Sequence, residues 1–141
     1  MLDPDQVPDV APDETVARFI LFSKHFRPSD GTVKPDAFIP HPRLELSLTR
    51  HIQATEAELW EEGVRVSRLR NVNLHGRADL GVHVFLKEGL SVESRPIPDN
   101  PNHADVTGWP MEKDAQKMKA LVIASKSQFL PGPRGGDSGT H

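Results

Sequence analysis

The stretch Leu44-Glu45-Leu46-Ser47-Leu48-Thr49-Arg50 alternates apolar and polar side chains without a break, and Thr55-Glu56-Ala57-Glu58 follows shortly after it. A period of two puts Leu44, Leu46 and Leu48 on one face of a strand, and Glu45, Ser47 and Thr49 on the other. Thr55 and Glu58 have the spacing of a capping box, in which the hydroxyl accepts the amide three residues on and the carboxylate reaches back. An amphipathic strand leading into a capped helix must bury its apolar face against further elements of both kinds. This pair sets the expectation of an α+β fold.

Upstream, Val16-Ala17-Arg18-Phe19-Ile20-Leu21-Phe22 reads as a strand buried largely on both faces. Residues 27–43 follow as a long irregular loop, with Pro28, Pro35, Pro40, Pro42 and the turn triplet Ser29-Asp30-Gly31. Downstream, the helix runs through Leu59 and Trp60 and tolerates Gly63. Residues 80–86 read as a strand, Lys87-Glu88-Gly89 as a turn, and residues 90–95 as the hairpin partner. A second proline-laden loop, 96–110, leads to a last helix. There Met111, Ala115, Met118, Val122 and Ser125 fall at helical spacing, an apolar face set against Lys113, Lys117, Lys119 and Lys126. The pattern predicts a single α+β domain: a mostly antiparallel sheet of four to five strands with two helices.

The chain has 141 residues and no cysteine, with 17 Lys+Arg against 20 Asp+Glu, a net charge of −3. The length suits one domain. Disulfide frameworks and thiolate zinc sites are excluded. No apolar run is long enough for a membrane helix, and Met1-Leu2-Asp3-Pro4-Asp5 does not read as a leader, so a cytoplasmic protein with no membrane partner is expected. Residues 1–14 hold five acids, no base and three prolines, and read as a disordered acidic arm. Residues 131–141 read as a flexible Gly/Pro-rich tail; Gly135-Gly136 there is taken as a loose end rather than a conjugation signal. The domain proper, 15–130, is left at +2. That is short of the charge a nucleic-acid module carries, which makes nucleic acid the weaker partner class and another protein the stronger.

No phosphate-binding glycine loop, dinucleotide fingerprint, zinc-helix motif, nucleophile elbow or EF-hand loop is present. Seven histidines stand out, but their spacing shows no ligand set even with Asp79 or Asp105 added, so no metal and no cofactor are assigned. Arg65, Arg68, Arg70, His75 and Arg77 form a basic cluster in which guanidiniums can hold a phosphate and a histidine can move a proton. The bland reading is a solvated face answering Glu58, Glu61 and Glu62. The loop 96–110 offers Asn102, His103, Asp105 and Trp109, and the loop 27–43 offers Asp36 and His41. Long stiffened loops on a rigid scaffold suit recognition, which places a binding site where the two meet, around His103. The expected function is a protein-interaction or accessory module acting within a multi-protein system. The alternative is a metal-independent phosphodiesterase or ribonuclease-like enzyme with His103, His75, Arg70 and Arg77 as candidate catalytic residues.

Overall fold

A computed structural model describes residues 1–40 and 43–132. The chain begins with β1 (Thr15–Ile20), a 3-10 turn (Ser23–His25), a small hairpin of β2 (Phe26–Arg27) and β3 (Thr32–Val33), and a second 3-10 turn (Pro35–Phe38). Then come β4 (Leu46–Arg50), α1 (Glu56–Leu69), β5 (Gly76–Gly81), α2 (Val82–Lys87), β6 (Ser91–Ser94), β7 (His103–Thr107), α3 (Lys113–Ser125) and β8 (Gln128–Pro131). The main sheet runs β6-β7-β4-β1-β5-β8, every neighbouring pair antiparallel. The fold is α+β as expected, with six strands in the main sheet and three α-helices among the described residues rather than four to five and two. No helix among them is long and apolar enough to cross a membrane.

One sheet face forms the main core. Val16, Ile20, Leu46, Leu48, Ala78, Leu80 and Val106 pack there with Phe38, Phe85 and Ile123. Burying side chains of this size stabilises by roughly 1.5–3 kcal/mol each. Leu46 and Leu48 face inward as the alternation requires, and Ser47 is exposed. Thr49 departs from it: the expected outward residue is buried, because α1 crosses the opposite face and Asn100 Nδ2 donates to Thr49 Oγ1 at 3.0 Å.

Three further expectations change. The strand expected over 80–86 ends at Gly81, and Val82, Val84 and Phe85 are buried on a short helix instead. The hairpin turn is that helix's end. Gly89 (φ 78°) donates to Leu86 O and Leu90 to Phe85 O, the pairing of a Schellman cap, for which a left-handed glycine serves as well as it would for a turn. The loop 96–110 contains β7, whose His-Ala-Asp-Val-Thr sequence has weak strand propensity but is held by pairing with β4 on one side and β6 on the other.

The acidic arm also differs from the disordered segment expected. Leu2 is buried and its amide donates to Asn102 Oδ1 at 2.9 Å, while the Met1 amino group meets Glu58 Oε1 at 3.0 Å. Buried Arg50 donates to the carbonyls of Pro8 and Asp9. One buried guanidinium thus orders a segment that has little apolar surface of its own.

Candidate functional site

The capping box forms as the sequence implies: Glu58 N donates to Thr55 Oγ1 at 3.1 Å and Thr55 N to Glu58 Oε1 at 2.9 Å. The helix it starts, α1, lies close on β1 because Gly63 faces Phe19; a Cβ at Gly63 would stand 2.9 Å from Phe19 Cε1. A slot of about 220 Å³ remains between α1 and the sheet, with Phe19, Thr49 and Val66 in its wall. β1 and β4 pair only at Val16–Arg50 and Ala17–Thr49 and then part. The Arg18 guanidinium occupies the gap, donating from Nε to Ala37 O at 2.9 Å and from Nη1 to Ser47 O at 3.1 Å.

His103, the centre of the expected site, opens β7 opposite Thr49 and lines the slot. Its Nδ1 lies 2.8 Å from Arg95 O, a carbonyl that only accepts, so Nδ1 carries the proton; Nε2 is 3.8 Å from Asp105 Oδ1. Arg70, just past the end of α1, lines the same slot. His75 and Arg77 do not. His75 packs against the Phe26 ring, and Arg77 is buried under Trp60 between Glu56 Oε1 at 2.8 Å and Asp79 Oδ1 at 3.0 Å. Of the four catalytic candidates, His103 and Arg70 share the slot, and His75 and Arg77 lie at separate places outside it.

The binding candidates also separate. Asn102 is a buried clasp, donating to the carbonyls of Arg50 and Ile52 and accepting from Leu2. Asp105 pairs with Arg95 at 3.2 Å, and Trp109 is a core side chain donating to Val106 O. Asp36 lines a depression that shares Arg18, Phe22, His25 and Arg70 with the slot. His41 and the Gly135-Gly136 tail lie outside the described residues.

Sequence reasoning passed over Arg18 and His25. The signal for Arg18 was its position inside an otherwise apolar strand. Burial and the nearby Arg70 charge push the Arg18 guanidinium down to about 10. His25 is held below its ordinary value, by burial first and then by Arg18, Lys24 and Arg70, with only Asp36 opposing. Also unforeseen is the pair His51 Nε2–Asp79 Oδ1 at 3.1 Å, on the Arg77 side of the sheet. Among the described residues no three His, Asp or Glu side chains gather as metal ligands.

The other notable surface is α3. Its buried residues are Gln116, Ala120, Ile123 and Ala124, whereas Met118, Leu121 and Val122 are exposed at 67 %, 54 % and 39 %, and Met111 just before the helix at 79 %. The apolar stripe read from the sequence is real, but it points to solvent. Two alanines, Ile123 and a glutamine face the core because α3 packs tightly on the second 3-10 turn, and Gln116 Nε2 donates back to Pro110 O just before the helix. Lys113, Lys117 and Lys126 are exposed beside the stripe. No protein-family model, curated protein or solved structure matches this chain, so these two surfaces carry the functional argument.

Proposed function

We propose that the protein is a non-enzymatic interaction module that docks an acidic amphipathic segment of a partner protein on the outer face of α3. The carrying observation is the exposed stripe Met118-Leu121-Val122, continued by Met111, on a helix whose opposite face already packs on the core. Helical neighbours three and four apart make one continuous apolar strip, the shape an amphipathic partner helix covers. Methionines suit such a face because their flexible thioethers adapt to the partner. Glu112 and Asp114 lie at the start of the strip, but beyond them α3 carries only bases, with Lys117 one turn before Leu121 and Lys126 one turn after Val122, so that end favours a partner with acidic edges.

The test compares wild type with Met118→Glu/Leu121→Glu in native lysate and in sedimentation. A species retained by wild type and lost by the variant, with an unchanged melting temperature, supports the proposal. A concentration-dependent dimer abolished by the same variant would make the occupant a second copy and overturn the acidic-partner reading. The phosphodiesterase alternative draws support from half of its residues, since His103 and Arg70 share a slot and His75 and Arg77 do not.

A further inference from the structure

We infer that the basic end of the slot, where Arg18, Arg70, Lys24 and His25 meet, is a binding site for the dianion of a phosphate monoester. The geometry carries this. Arg18 Nε and Nη1 are spent on backbone carbonyls, which aim the guanidinium along the gap between β1 and β4, and Nη2 has no hydrogen-bond partner among the described residues. Arg70 is held over the Phe22 ring, 5.6 Å from its centroid, and Phe22 in turn meets the His25 ring edge-on at 5.2 Å. No carboxylate among the described residues lies within ion-pairing distance of either arginine, whereas Arg50, Arg65, Arg77 and Arg95 each have one. Arg50, Arg65, Arg77 and Arg95 are neutralised in this way, whereas Arg18 and Arg70 line one depression with no carboxylate paired to either.

Charge selects the ligand class. Arg18, Arg70 and Lys24 against Asp36 leave the depression at +2 with His25 neutral. A carboxylate would remove half of that; a phosphate monoester, at ≈ −1.5 to −2 near neutral pH, removes nearly all of it and presents several acceptor oxygens to guanidinium donors. Burial is the first cause of the lowered Arg18 and His25 pKa values, and the neighbouring cations push both in the same direction. The adjoining slot, walled by Phe19, Val66 and Ile97 with His103 at its far side, provides an apolar channel for the organic part of an ester. The inference is independent of the α3 surface.

The experiment titrates the full chain with inorganic phosphate, O-phosphoserine, a nucleoside monophosphate and a phosphoserine peptide, following the His25 ring by NMR and heat by calorimetry. At least one of the four shifts His25 and raises its pKa, since a bound anion stabilises the imidazolium. Arg70→Gln, at an exposed position, weakens that binding by about tenfold or more, and Arg70→Lys restores part of it. Binding by all four assigns the site to the phosphate group itself. Binding by the peptide alone, or by the small esters alone, identifies the source. If no probe moves His25 at concentrations up to about 20 mM, or if Arg70→Gln binds as wild type does, the inference is wrong. Arg18→Gln serves only as a supporting variant, because Arg18 also ties Ala37 to Ser47.

Discussion

Arg50, with no solvent-exposed surface, grips both carboxylate oxygens of Glu14, Nε to Oε1 and Nη2 to Oε2, each at 2.7 Å. The remaining donors of the same guanidinium hold Pro8 O, Asp9 O and Ser94 Oγ, so a single side chain from the middle of the sheet secures the second half of the N-terminal segment. Removing one partner of such a pair strands a buried charge. Glu14→Gln is expected to lower stability by about 3–5 kcal/mol in urea unfolding. Burial pushes the Glu14 carboxyl up, but the Arg50 hydrogen bonds, the Ala11 amide and the Arg50 charge outweigh it and hold the group below its ordinary 4.5. A depressed carboxyl contributes fully above that value and loses its contribution as pH falls through the folded pKa. Acid titration of stability below about pH 4.5 should therefore flatten in Glu14→Gln.

A chain starting at Thr15 should melt many degrees below the full chain. It loses the Glu14 carboxylate, both carbonyl acceptors of Arg50, the buried Leu2 side chain and the Leu2 amide bond to Asn102. Leu2 burial alone is worth roughly 1.5–3 kcal/mol. Equal melting temperatures would show that the segment is not seated in solution.

Leu46 tests one face of β4, and Thr49 and Ser47 test the buried and exposed ends of the other. Thr49→Ala leaves Asn100 Nδ2 without its acceptor in a buried place, at a cost of about 1–3 kcal/mol. Ser47→Ala, exposed, should stay within about 0.5 kcal/mol, and Leu46→Ala should cost about 2–5 kcal/mol. Denaturant midpoints of the three variants decide.

On α3 burial, not size, sets the order of sensitivities. Ile123→Ala removes a fully buried side chain and should cost about 2–5 kcal/mol. Met118→Gln, on the exposed stripe, should change stability by less than about 0.5 kcal/mol while weakening partner capture.

His25 gives a further pH signature. Its imidazole is held below the ordinary 6.5, so the folded state resists protonation and loses stability as pH falls from about 6.5 toward the lower folded value. His25→Gln should remove that slope, and NMR titration of the ring checks the value directly.

The strand at Leu46–Leu48 and the capped start of α1 were legible because local period and cap chemistry decide them. What escaped depends on distant partners. β7 exists because β4 and β6 hold it, and α2 ends with the same glycine geometry that a hairpin would use. The periodicity of α3 was correct, but periodicity does not say which side of a helix meets the core. Arg70 and His103 were named from their chemistry. Arg18 and His25 were not, since their approach requires β1 and β4 to separate after Ala17, a feature of pairing that no single segment carries.

The clasp between Leu2 and Asn102 sets an order in time. Residues emerge from a ribosome in sequence, at about 5–20 per second, so Leu2 must wait roughly 5–20 s before Asn102 exists to receive it. β1 meets its neighbours sooner, but the Arg50 guanidinium is only fully enclosed once β6 supplies Ser94. The segment 1–14 is therefore seated long after it is made, and its acids and prolines keep it soluble and free of premature pairing while it waits.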